Sequence, residues 1–179
     1  MFVFIDTEFT NFGEDSELIS VGLVASNKKG SNFYREVADF DRSKSSPFVQ
    51  AHIYPLLEGG AKQQNFSNIA TELWDWLHEL GKEDELHFVI DYEGDWMWLL
   101  GLLHNAHQQG KPTPLPANLN KQPIWLLSII DLNLCGGWEK LCAQYNKMHN
   151  LRVHHALDDA IRNMLIFWSA PRIENQSST

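Results

Sequence analysis

A chain of 179 residues, 44% hydrophobic and 21% charged, can bury a core as one domain and is too apolar for a disordered chain. Its 23 acidic and 14 basic residues give a formal charge of −9, which excludes the broadly basic surface that grips nucleic-acid backbones unless divalent cations neutralise a concentrated acidic site. Cys135 and Cys142 form neither a disulfide framework nor a zinc pattern. No leader-like segment and no apolar run near the ~20 residues of a membrane span is present, so the sequence predicts a cytoplasmic protein with reduced thiols and no membrane partner.

In chain order, Phe2 to Ile5 reads as a buried strand ending in Asp6, and Leu18 to Ala25 as a second. The turn Asn27-Lys28-Lys29-Gly30 leads to a third strand, Asn32 to Val37, making a hairpin. Ser67 is placed to cap a helix whose apolar stripe is Ile69, Leu73, Trp76, Leu77 and Leu80, closed by Gly81. Leu86 to Ile90 predicts a fourth strand, followed by a helix from about Asp95 to Gln109. The four prolines of Lys111 to Pro123 predict a loop. Ile124 to Ile130 suggests a fifth strand and Trp138 to His149 a helix; a last helix runs from Ala156 to about Ala170, stopped by Pro171. A leading hairpin followed by alternating helices and strands predicts an α/β fold with a mixed sheet of about five strands and helices on both faces. Residues 1–170 are expected to form one domain and 171–179 a polar tail, frayed from Glu174.

Asp6-Thr7-Glu8 carries two carboxylates at strand spacing, i and i+2, which project to one face. Like charges that close repel unless a cation lies between them, and hard oxygen ligands suit Mg²⁺ or Mn²⁺. Asp95 heads the stripe of Leu99, Leu102 and Ala106, with Asp91 at the end of the preceding strand as the alternative. In the last helix Asp159 falls beside Ile166 and Ala170, where an unpaired carboxylate is costly, whereas Asp158 shares a polar sector with Arg162 and Ser169 and is expected to face solvent. His154, five residues before Asp159, converges with it only if it lies in the loop entering the helix.

The order Asp-x-Glu on the first strand, Asp on a middle helix and His154-x-Ala156-Leu157-x-Asp159-Ala160 at the last helix resembles the DEDDh exonucleases over nearly the whole chain, Met1 to about Trp168. That resemblance implies a ribonuclease H-like fold and 3′-5′ removal of nucleotides from single-stranded nucleic acid, RNA favoured over DNA, by two Mg²⁺ ions with Mn²⁺ as a substitute. It implies that Asp6, Glu8, Asp95 and Asp159 hold the ions, that His154 is the general base, and that Thr7 and Phe9 contact the substrate. Phe9 serves core packing equally well. Small members of the family commonly form homodimers. The second motif departs from the family pattern: Asp91-Tyr92-Glu93-Gly94-Asp95 has Asp and Gly where Asn and Phe are usual, which leaves Asp91 open beside Asp95. His155 likewise stands beside His154, four residues before Asp159. Two rivals are a haloacid-dehalogenase-like phosphatase, which wants a second Asp where Glu8 stands, and a ribonuclease H-like binding module that has lost catalysis.

Overall fold

A computed structural model describes residues 1–26, 31–82, 84–112 and 122–173. The expected Asn27–Gly30 turn, most of the proline-rich loop and the polar tail from Glu174 onward lie outside them. The strands and helices are β1 (Phe2–Phe9), β2 (Leu18–Ala25), β3 (Asn32–Val37), α1 (Pro47–His52), β4 (Gln63–Gln64), α2 (Phe66–Gly81), β5 (His87–Ile90), α3 (Glu93–Gln108), β6 (Ile124–Trp125), α4 (Leu132–Cys135), α5 (Trp138–His149) and α6 (Ala156–Ser169).

Among the described residues six strands form one mixed sheet in the order β4-β3-β2-β1-β5-β6. β1 pairs antiparallel with β2 and parallel with β5, and β2 pairs antiparallel with β3. Period-two alternation along β1 sends Val3 and Ile5 into a core shared with Leu73, Leu77, Leu99 and Leu102 of α2 and α3. Phe4 points the other way, into a core with Leu141 of α5 and Ile166 and Phe167 of α6. Helices therefore cover both faces, consistent with a ribonuclease H-like fold. No described helix is long and apolar enough to cross a membrane.

The elements differ from expectation at their ends. β1 runs past Ile5 to Phe9, because Asp6 and Glu8 sit inside the ladder opposite Gly22 and Ser20. The helix expected to be capped by Ser67 is capped by Asn65, whose side chain accepts the Asn68 N–H at 2.8 Å. β6 keeps only Ile124 and Trp125 as an edge strand beside Val89 and Ile90. Farther along that apolar run Leu126–Ser128 form a 3₁₀ segment that buries Leu126, and Ile130 makes an isolated antiparallel bridge with Arg172. The short helix α1 carries no strong periodic signal and follows a Ser46 cap with Pro47 at its first turn.

One close approach positions the last helix. Gly22, opposite Asp6 on β2, lies where an added Cβ would meet the backbone carbon of Ala156 and nitrogen of Leu157 at 2.3 Å. The start of α6 thus rests directly on the sheet beside the carboxylates of β1. Gly22→Ala is expected to displace α6 and lower stability by about 1–3 kcal/mol, the usual cost of overpacking, read as a lower melting temperature. An unchanged melting temperature would mean that α6 moves away freely.

Candidate active site

Pairing between β1 and β5 ends at Phe4 and Val89, so the sheet opens beyond that point along one edge of β1. The Thr7 N–H on this edge has no strand partner, and Asp95 supplies one. Its Oδ1 accepts the Thr7 N–H at 2.9 Å and the Thr7 hydroxyl at 2.7 Å. Asp95 is 2% exposed and heads the fully buried Leu99, Leu102 and Ala106, as its helical spacing predicts. Its Oδ2 is buried with no hydrogen-bond partner among the described residues.

Asp6 and Glu8 project together toward α6 and into the same cleft as Asp91, Asp95, His154 and Asp159. Burial, then the charges of Asp95 and Asp159, hold Asp6 well above the usual carboxylate range. Burial and the same two neighbours push Glu8 up to about 8. Burial raises Asp95 to about 8, with Asp91 adding to the shift, and Asp159 to about 6, where Arg162 opposes the rise. The cause throughout is the cost of ionising several carboxylates in one dry place.

His154 lies in the turn that enters α6, with a left-handed backbone at φ 64°. This is the loop placement that its five-residue spacing from Asp159 requires. Its N–H donates to Asp159 Oδ2 at 3.1 Å, tying the turn to the carboxylate. The imidazole meets Phe48 of α1 edge-to-face at 5.0 Å. Burial, with His52 and Arg162 nearby, lowers its pKa, favouring the neutral ring. Of the neighbouring histidines, His154 lines the cleft, whereas His155 is 2% exposed and packs on Tyr34 at 4.5 Å. His155 Nδ1 accepts the Asp158 N–H, capping α6.

Two expectations for α6 require correction. Asp158 does not point freely into solvent: its carboxylate binds the Arg152 N–H at 2.9 Å and Arg152 Nε at 2.7 Å. Those bonds outweigh burial and keep its pKa low. Arg162 is not in the solvent sector but 7% exposed, where it pairs with Asp159 and reaches Asp91 at 3.4 Å. Its place three residues after Asp159, one helical turn, was the available signal. Residues such as Phe12, Phe48 and Tyr92, which also line the cleft, gave no such signal.

The cleft holds about 820 Å³. Phe9 is half-buried on its rim and stacks with Tyr92 at 6.0 Å and 20°, and Phe12, 86% exposed, meets both rings edge-on. Phe9 thus serves a surface cluster rather than the core alone. Glu8, His154 and Asp159 can each bring a ligand atom within 4.8 Å of the others, and so can Asp6, Asp91 and Asp95. These sets are oxygen-rich, with one imidazole and no thiolate, which fits a hard divalent cation. The unsatisfied Asp95 Oδ2 is an acceptor that such an ion would complete.

No family model matches the chain. Two curated proteins from two strains of Mycobacterium tuberculosis, each named 3′-5′ exoribonuclease, are 32% identical to it over 118 residues. The aligned part covers 63% of this chain and 64% of each relative, so the chain spans just under two thirds of the length of the curated relatives it matches.

Proposed function

We propose that the chain is a metal-dependent 3′-5′ exoribonuclease of the DEDDh kind, its residues 1–170 forming the catalytic domain. The observation that carries this reading is the meeting of Asp6, Glu8, Asp95, Asp159 and His154 in one cleft. The similarity to proteins named as 3′-5′ exoribonucleases supports the same activity. Asp6, Glu8, Asp95 and Asp159 would hold two Mg²⁺ ions, or Mn²⁺ in their place. When bound, the ions would supply Lewis-acid polarisation of the phosphodiester and a more acidic water.

The chain's own groups do the rest. Thr7 fixes Asp95 through one oxygen and leaves the other for the cleft. A neutral His154 nitrogen accepts the proton of the attacking water, as general base. Water oxygen bonds to phosphorus, the bond from phosphorus to the 3′-oxygen breaks, and that oxygen is protonated. The products are a nucleoside 5′-monophosphate and a chain one nucleotide shorter. Phe9, with Phe12 and Tyr92 around it, offers terminal bases a stacking surface. With a net charge of −9, affinity should come from the ions and from stacking rather than from a long backbone track. Free Cys135 and Cys142 suit a cytoplasmic setting.

The test is degradation of 5′-labelled single-stranded RNA and DNA, a hairpin RNA and a circular RNA, with Mg²⁺ and with chelator. The linear RNA should shorten stepwise from its 3′ end with Mg²⁺ only, faster than the DNA, and the hairpin should stall the ladder. Efficient cleavage of the circle would show an endonuclease and defeat the reading.

A further inference from the structure

We propose that Arg162 is a positioning residue that bridges Asp159 to Asp91 and keeps Asp91 out of the cation-ligand set; this rests on the metal-dependent reading above. Arg162 Nη1 donates to Asp159 Oδ1, and Nη2 reaches Asp91 Oδ2 at 3.4 Å. Its Nε and Nη2 also donate to Asn163 Oδ1, at 3.2 and 3.0 Å, and Asn163 Nδ2 donates to Asp91 Oδ1 at 2.9 Å. Both oxygens of Asp91 are therefore engaged by adjacent side chains of α6. Asp95 contrasts with it, for one oxygen is held by Thr7 and the other has no partner among the described residues. Asp159 Oδ2 accepts the N–H of His154 and, among the described residues, no other hydrogen bond.

Charge supports the same division. Five buried or half-buried carboxylates, Asp6, Glu8, Asp91, Asp95 and Asp159, share the cleft with one buried guanidinium, and the sixth that lines it, Glu139, is exposed to solvent. If Arg162 balances Asp91, the other four balance two divalent ions. Asp91 could bring an oxygen within 4.8 Å of Asp6 and Asp95, so proximity alone does not exclude it as a ligand. What excludes it is that an ion taking Asp91 would strip a buried guanidinium of a partner, and an unpaired buried charge is costly. The bridge also joins the end of β5 to α6 across the cleft, which fixes Asp159 relative to Asp95.

The experiment compares wild type, Asp91→Asn, Arg162→Lys, Arg162→Met and the double variant Asp91→Asn/Arg162→Met. Metal-free melting and calorimetric Mn²⁺ titration are measured on each full chain without RNA. Arg162→Met should lower the metal-free melting temperature by about 6–12 °C, and Asp91→Asn in the same chain should recover part of that loss. Arg162→Lys should fall between wild type and Arg162→Met, since one ammonium cannot fork to two carboxylates. Asp91→Asn should bind two Mn²⁺ per chain, as wild type does. Arg162→Met should bind Mn²⁺ more tightly than the double variant, because a freed Asp91 then joins the ligands. Loss of one Mn²⁺ in Asp91→Asn, or additive melting effects of the two substitutions, would overturn the proposal. Were wild type to bind no Mn²⁺, the metal-dependent reading would fail, and additivity in the metal-free melting cycle would still decide the bridge.

Discussion

Asp6→Asn is expected to reduce hydrolysis to background and to remove most of the stabilisation that divalent cations give the wild type. The reason lies in the pKa shifts. Burial and mutual repulsion raise Glu8 from 4.5 and Asp95 from 3.8 to about 8, with Asp6 also raised, so the metal-free folded protein holds protons that the unfolded chain has released. Where the folded state binds more protons, stability falls as pH rises. Metal-free wild type should therefore hold the full contribution of these groups only below the unfolded values of 4.5 and 3.8. It should lose their contribution progressively toward pH 8.

Mg²⁺ or Mn²⁺, binding the folded state alone, should restore stability most at the upper end. At a hundred times Kd one ion contributes about 2.7 kcal/mol, or about 5–11 °C in melting temperature for a domain of this size. Thermal melts from pH 5 to 8, with chelator and with Mn²⁺, check this for wild type and Asp6→Asn. A wild-type curve that ignores the metal at every pH would sink the idea of a preformed cation site.

His154→Ala should lose activity by about 10²–10⁴-fold, the usual worth of general-base assistance, while binding Mn²⁺ as wild type does. With its pKa lowered by burial and by His52 and Arg162, His154 is the free base at neutral pH. The acidic limb of the wild-type pH–rate profile should therefore fall below pH 6.5, and the substitution should flatten it. Because Glu8, His154 and Asp159 can converge on one point, a direct ligand role for His154 is the sharp alternative. Calorimetric loss of a Mn²⁺ ion in His154→Ala would establish that role and defeat the general-base assignment. His155→Ala should behave differently, since His155 caps α6 and packs on Tyr34 behind the cleft. It should lower the melting temperature and leave the acidic limb in place.

Features that depend on local periodicity are legible in the chain alone. Period two along β1 sends Asp6 and Glu8 to one face, and the helical period sets Asp95 above Leu99, Leu102 and Ala106. The same period aligns Asp159 with Ile166 and Ala170, all of them buried. Such patterns survive because a strand or helix holds its side-chain directions whatever it packs against. The outer limits of elements were less legible: β6 needed a partner along its length and found one for only two residues.

Which charges meet across the cleft follows from tertiary packing. A helical projection gives Arg162 a direction but does not show that Asp91, from the end of β5, will lie against it. Likewise Asp158 meets Arg152 because the chain before α6 turns back on itself. Gly22 permits α6 to approach the sheet at backbone distance, which brings His154 and Asp159 over Asp6 and Glu8. Phe12 and Tyr92 become a rim with Phe9 only when β5 diverges from β1 and opens the cleft. Except for Asp158 with Arg152 and Phe9 with Phe12, these contacts join residues that are distant along the chain, through packing, and no local spacing encodes that.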